Sequence, residues 1–144
     1  MPDIKQVKIH LQTTVTNGSD KETYELFTFG TLQKKGQSLY LKYEEVQEDL
    51  QTTNAIVKWS EEEVFIMRSG HGNMRQKFIK DVMTQSMFES PLGALQMLTT
   101  AKSMHLSTDP SRADGEMKLI YDLAIQGNDV GEYEMKITFT EEAN

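Results

Sequence analysis

The chain of 144 residues predicts an all-β fold, a single antiparallel β-barrel of about ten strands. Three observations carry that expectation. Apolar residues recur at every second position in stretch after stretch, the period of a strand with one buried face. Turn residues rich in Gly, Asn and Asp punctuate those stretches roughly every ten to fifteen residues. The last two stretches are long, which suits a barrel wall better than a short sandwich strand. The length is that of one domain with a full core, so residues 1–144 are read as one barrel domain.

The elements follow in order. Val7, Ile9, Leu11 and Val15 alternate with Lys8, His10, Gln12 and Thr14, and Asn17-Gly18-Ser19-Asp20 closes a hairpin turn. In 22–33, Tyr24 and Leu26 share one parity and Phe27 and Phe29 the other. That switch beside Gly30 predicts a bulge or sharp bend. Leu39, Leu41 and Tyr43 form the next strand, and Ala55, Val57 and Trp59 the one after. Val64 to Arg68 follows the turn Glu61-Glu62-Glu63, and a Gly-rich loop over 69–73 leads into Met74 to Lys80. Met117, Leu119, Tyr121, Leu123 and Ile125 face Tyr133, Met135, Ile137 and Phe139 across Gly127-Asn128-Asp129. Residues 92–106 stay open. Ser90-Pro91 is a good helix start, with Leu92, Leu95 and Leu98 on one helical face, while alternation there is weak.

Several stretches together resemble a family of uncharacterised bacterial proteins with a calycin-like, or lipocalin-like, β-barrel, the YwiB-like family. The resemblance runs in order through Gly30 to Glu45, Met67 to Phe78, Glu89 to Met97, Gly115 to Gly127 and Gly131 to Met135. It implies one barrel of ten or so strands with 92–106 extended. It implies no activity, since the family is a domain of unknown function. Ligand-binding calycins differ in their signatures. The lipocalin Gly-x-Trp on the first strand is absent, because the sole tryptophan is Trp59. The Arg-x-Tyr pair of fatty-acid-binding proteins is absent from the last strand, which reads Tyr133-Glu134-Met135-Lys136.

Composition narrows function further. Fifteen basic residues against 22 acids give a net charge of -7, so a phosphate-neutralising stripe for nucleic acid or an anionic membrane is not expected. The absence of cysteine removes disulfides, thiolate metal sites and a cysteine nucleophile. No apolar leader is visible at the start, so a cytoplasmic location is the expectation. His10, His71 and His105 are scattered, and neither a metal site nor a cofactor is expected. The paired acids Glu44-Glu45, Glu48-Asp49 and Glu141-Glu142 read as a solvated rim rather than a hydrolytic pair. No catalytic motif is present.

What remains is a binding reading. Arg68, His71 and Arg75 flank the loop carrying Gly70 and Gly72, the best polar constellation in the chain, although a plain hairpin loop explains it too. Arg68 continues the parity of Val64 and Ile66, so it is placed inward and would need a partner. Tyr121 is a second polar handle on an inward parity. Nine methionines could line a permissive pocket or simply fill the core. The expectation is a non-catalytic barrel holding a small, partly apolar or amphipathic ligand inside or at its mouth. The alternative is an interaction module acting through its outer surface, with a homodimer as one form.

Overall fold

Ten antiparallel strands close into a barrel in the computed structural model, which describes residues 4–46, 52–70, 72–91, 93–109 and 113–142. They are β1 (Ile4–Asn17), β2 (Asp20–Lys35), β3 (Ser38–Val46), β4 (Thr52–Trp59), β5 (Val64–Ser69), β6 (Asn73–Phe78), β7 (Met83–Ser90), β8 (Gly93–Asp109), β9 (Asp114–Ile125) and β10 (Asn128–Glu141). Each strand pairs with its neighbours in sequence, and β1 pairs with β10 to close the wall. Closure leaves no edge along those ladders, which is how an all-antiparallel sheet escapes edge-to-edge pairing.

Turn chemistry sets the registers. Gly18 has a φ of 64° between Asn17 and Asp20, and Gly36 a φ of 59° between Lys35 and Ser38. At the β9–β10 turn both central residues, Gln126 and Gly127, are left-handed, as a two-residue hairpin with matching twist requires.

The inward face follows the predicted alternation. Val7, Ile9, Leu11, Leu41, Val57, Val64, Ile66, Phe78, Met117, Leu119, Ile137 and Phe139 are all buried in one continuous core. The outer wall is charged. Lys118 pairs with Glu134 at 3.0 Å and Lys136 with Glu116 at 3.7 Å across the β9–β10 ladder. Lys102 reaches Glu132 at 2.7 Å and Asp122 at 3.3 Å. This polarity, apolar inside and charged outside, is the reverse of a lipid-facing barrel. No helix among the described residues is long and apolar enough to cross a membrane.

One open point closes and one expectation changes. The open segment is strand, as the resemblance implied: β8 pairs with β7 and with β9 along its length. Its alternation looked weak because Lys102 is an extra residue between the pairs Ala101–Tyr121 and Ser103–Ile120. That bulge flips the inward parity from Met97, Thr99 and Ala101 to Met104 and Leu106. The bulge predicted beside Gly30 is absent. The β1–β2 register runs unbroken from Ile4–Gln33 to Asn17–Asp20, with Leu26, Thr28, Gly30 and Leu32 facing inward. Phe27 and Phe29 instead face out and are exposed. Gly30 serves close approach: a Cβ there would lie 2.1 Å from the Lys42 carbonyl oxygen.

The seam between β6 and β7 is the weak place in the wall. Only Asn73–Glu89 and Met74–Phe88 pair there, before an isolated bridge at Ile79–Val82. Between them the Thr84 hydroxyl donates to the Lys77 carbonyl at 2.5 Å, a side chain standing in for ladder bonds. Behind the opening the buried Gln76 amide donates to the Thr99 hydroxyl at 3.0 Å, tying β6 to β8.

Candidate functional site

The polar cluster inside the barrel grows from one row of the sheet. Tyr43, Ala55, Arg68, Met74 and Phe88 are successive ladder partners across β3 to β7. All lie on inward parities. Ala55 is the small member between Tyr43 and Arg68, so the two large polar side chains come together over its methyl group.

Arg68 points inward, as its parity predicts, and finds the partner it needs. Its Nε donates to Glu45 Oε1 at 3.0 Å, with 22% of the Arg68 side chain and 18% of the Glu45 side chain exposed. Burial opposes the guanidinium charge, but Tyr43 and Glu45 outweigh it and the pKa lies above the usual arginine value. Tyr43 is 4% exposed, and its hydroxyl oxygen is buried without a hydrogen-bond partner. Burial pushes its phenol up to about 12, against the pull of nearby Arg68.

Tyr121 joins this cluster from β9. Its ring meets Phe78 edge-on at 4.8 Å and stacks on Tyr133 at 5.2 Å. Burial raises the Tyr121 phenol strongly, with Arg68 pulling the other way. Arg68 and Tyr121 therefore share one electrostatic environment. Arg75 does not join them. It is the outward ladder partner of Met67, exposed, and pairs with no acid among the described residues. His71 lies outside the described residues. Gly70 has a φ of 134°, and a Cβ there would sit 2.5 Å from the Thr52 carbonyl, so close packing on β4 accounts for this glycine.

Arg68 and Arg75 meet again along a groove of about 840 Å³ on the wall over β4 to β7. Its outward lining includes Ile56, Phe65, Met67 and Met87. At the open seam it also touches inward-facing Met74, Ser86 and Arg68. The methionines, expected either to line a pocket or to fill the core, divide between the core and the groove. Met97, Met117 and Met135 are buried in that core, whereas Met83 and Met87 are exposed beside the seam. A second pocket of about 530 Å³ opens at the opposite end of the barrel, around Leu39, Trp59, Leu106 and Phe139.

Two residues of the cluster escaped the sequence reading. Glu45 was grouped with Glu44 as solvated rim, and only Glu44 is exposed. The signal was parity: Glu45 follows Leu39, Leu41 and Tyr43 on the inward face. Tyr43 shares that parity, which marks its inward direction but not its neighbours. His10 lies on the outer face as expected, stacked on Phe27 at 4.3 Å with Nε2 2.8 Å from Glu25. No group of three or more metal-ligating side chains gathers among the described residues.

Fold and cluster together define the class: a small closed up-and-down β-barrel with a continuous apolar core and an inward-facing arginine paired with a glutamate. The chain belongs to the family described as a domain of unknown function, DUF1934, which matches residues 9–137. It is 29% identical to the uncharacterized β-barrel protein YwiB of Bacillus subtilis strain 168 over 133 residues, 92% of each chain. The crystal structure of the Bacillus subtilis YwiB protein matches with a TM-score of 0.86 at 27% identity, covering 99% of this chain and 96% of that one.

Proposed function

We propose that this protein is a non-catalytic, cytoplasmic binding protein that takes a small amphipathic molecule into the groove over the β6–β7 seam. The observation that carries the reading is a groove lined by Met67, Met74 and Met87 together with Arg68 and Arg75. Its volume is that of a small-molecule site. Methionine and phenylalanine supply an adaptable apolar bed, and a few basic groups fix orientation. Titration with the fluorescent amphiphile 1-anilinonaphthalene-8-sulfonate tests it. Amide shifts should cluster on β5 to β7, and Met67→Glu should abolish them. Shifts confined to the Trp59 end, or none at all, would sink the reading.

A second reading rests on Phe27 and Phe29, which are 73% and 61% exposed on the outer face of β2. With the exposed Val46 nearby they support an interaction surface, a second copy of the chain being its occupant. Sedimentation equilibrium should then show a mass that rises with concentration, and Phe27→Lys should return it to one chain. A constant monomer mass rules this out.

A further inference from the structure

The pocket at the other end of the barrel is built around the chain's sole tryptophan. Trp59 ends β4, where it pairs with Leu39 on β3 and Val64 on β5. Leu106 reaches the same space from β8, because the Lys102 bulge has turned it inward. Phe139 fits there against Gly115, where a Cβ would lie 2.7 Å from its ring. These side chains make an apolar floor, with Phe139 fully buried and Trp59 7% exposed. At about 530 Å³ the space suits a small molecule.

One donor in that floor is unspent. An indole N–H donates and never accepts, and a tryptophan buried to this degree usually finds it a partner. The Trp59 indole N–H makes no hydrogen bond to any described residue. Ser38 and Ser60 line the same space with their hydroxyls 2.9 Å apart, and the bond between them spends one hydrogen and leaves the other. The unspent groups are thus donors set beside hydrocarbon, and their complement is an acceptor oxygen on an apolar body. Charge narrows the class. The described lining residues carry Glu61, Asp109, Asp114 and Glu141 against Lys5 and Lys34, which disfavours a carboxylate. A carbonyl oxygen supplies the acceptor without the charge.

We propose that this end of the barrel is a second binding site, for an uncharged apolar molecule whose carbonyl oxygen accepts from the Trp59 indole N–H. The proposal is independent of the groove over β4 to β7. The matched probes 2-acetylnaphthalene, 2-ethylnaphthalene and 2-naphthoate share one ring system and differ in acceptor and charge. Trp59 gives the single indole N–H resonance of the chain, so occupancy is read at one signal. The acetyl probe should move that resonance downfield of where the ethyl probe leaves it. It should also bind about three- to tenfold tighter than either of the others. Trp59→Phe keeps an aromatic ring and loses the N–H, so it should bind the acetyl and ethyl probes alike. The comparison of probes on the unaltered protein stands whether or not that variant folds. Equal affinity of the acetyl and ethyl probes for the unaltered protein overturns the proposal, and so does tighter binding of the naphthoate. A preference for the acetyl probe that survives in Trp59→Phe overturns it too. Shifts confined to β5 to β7, with the indole signal unmoved, overturn this site and leave the groove standing.

Discussion

Arg68 on β5 and Glu45 on β3 are joined at 3.0 Å across β4, beside a mostly apolar core. The pair is partly buried, so each member depends on the other. Removing one leaves an uncompensated charge, while removing both replaces an ion pair by packing. Glu45→Ala should cost roughly 2–3 kcal/mol of stability, and Arg68→Met/Glu45→Met much less. Urea unfolding of the single and double variants checks this. Simple additivity would show that the two residues act independently.

Tyr43 and Tyr121 should together govern stability at high pH. The Tyr43 phenol is pushed up to about 12 by burial, above the unfolded value of 10.0. The folded state then holds that proton more tightly than the unfolded state. The resulting stabilisation is fully present below pH 10 and is lost as pH rises to about 12. The loss is about 3 kcal/mol for two units of difference. Tyr43→Phe should remove the Tyr43 share of this alkaline decline and leave that of Tyr121. At neutral pH it should be neutral or stabilising by up to about 1 kcal/mol, because it deletes an unsatisfied group. Thermal melts across pH 7 to 12 would show both effects, and an unaltered alkaline arm would refute the first.

Gly30 should tolerate no side chain. A Cβ would meet backbone, the Lys42 carbonyl oxygen at 2.1 Å, and the Ile9 side chain at 2.8 Å. Backbone cannot swing aside as a side-chain tip can. Gly30→Ala should therefore cost roughly 3 kcal/mol or fail to fold, whereas Gly36→Ala, with open space around it, pays only for its left-handed backbone. Chemical denaturation of the two variants distinguishes crowding from conformational strain.

The seam should open before the rest of the barrel. Strand β6 meets β7 in only two ladder pairs, while β9 and β10 are zipped along their length. Amides of residues 75–77 and 85–86 should exchange with solvent at least about tenfold faster than those of 117–123. Gln76→Leu leaves the Thr99 hydroxyl buried without its donor and should cost about 1–2 kcal/mol. Adding Thr99→Val should recover most of it. Hydrogen exchange read residue by residue tests the first point and denaturation the second.

Much of this architecture is legible in the sequence because strand periodicity is a local signal. Ile9, Leu41, Val57, Ile66, Leu119 and Ile137 announce their burial by alternation with polar neighbours. Arg68 announces its own inward direction in the same way. Alternation misleads where an irregularity shifts the count. Lys102 shows this, since its bulge disguised β8 as a helix. Apolar character alone also misleads, since Phe27 and Phe29 are large and still face outward.

By itself the sequence determined an all-β barrel of about ten strands, the inward set of side chains, and the absence of thiolate chemistry. Each follows from residue type and short-range spacing. Only the tertiary structure decided that Glu45 answers Arg68, that Tyr43 comes to lie beside Arg68, and that the ladder between β6 and β7 stops after two pairs. Those facts depend on which strands become neighbours and in what register. Residues 43, 55 and 68 are distant in sequence, and ladder pairing alone sets them side by side.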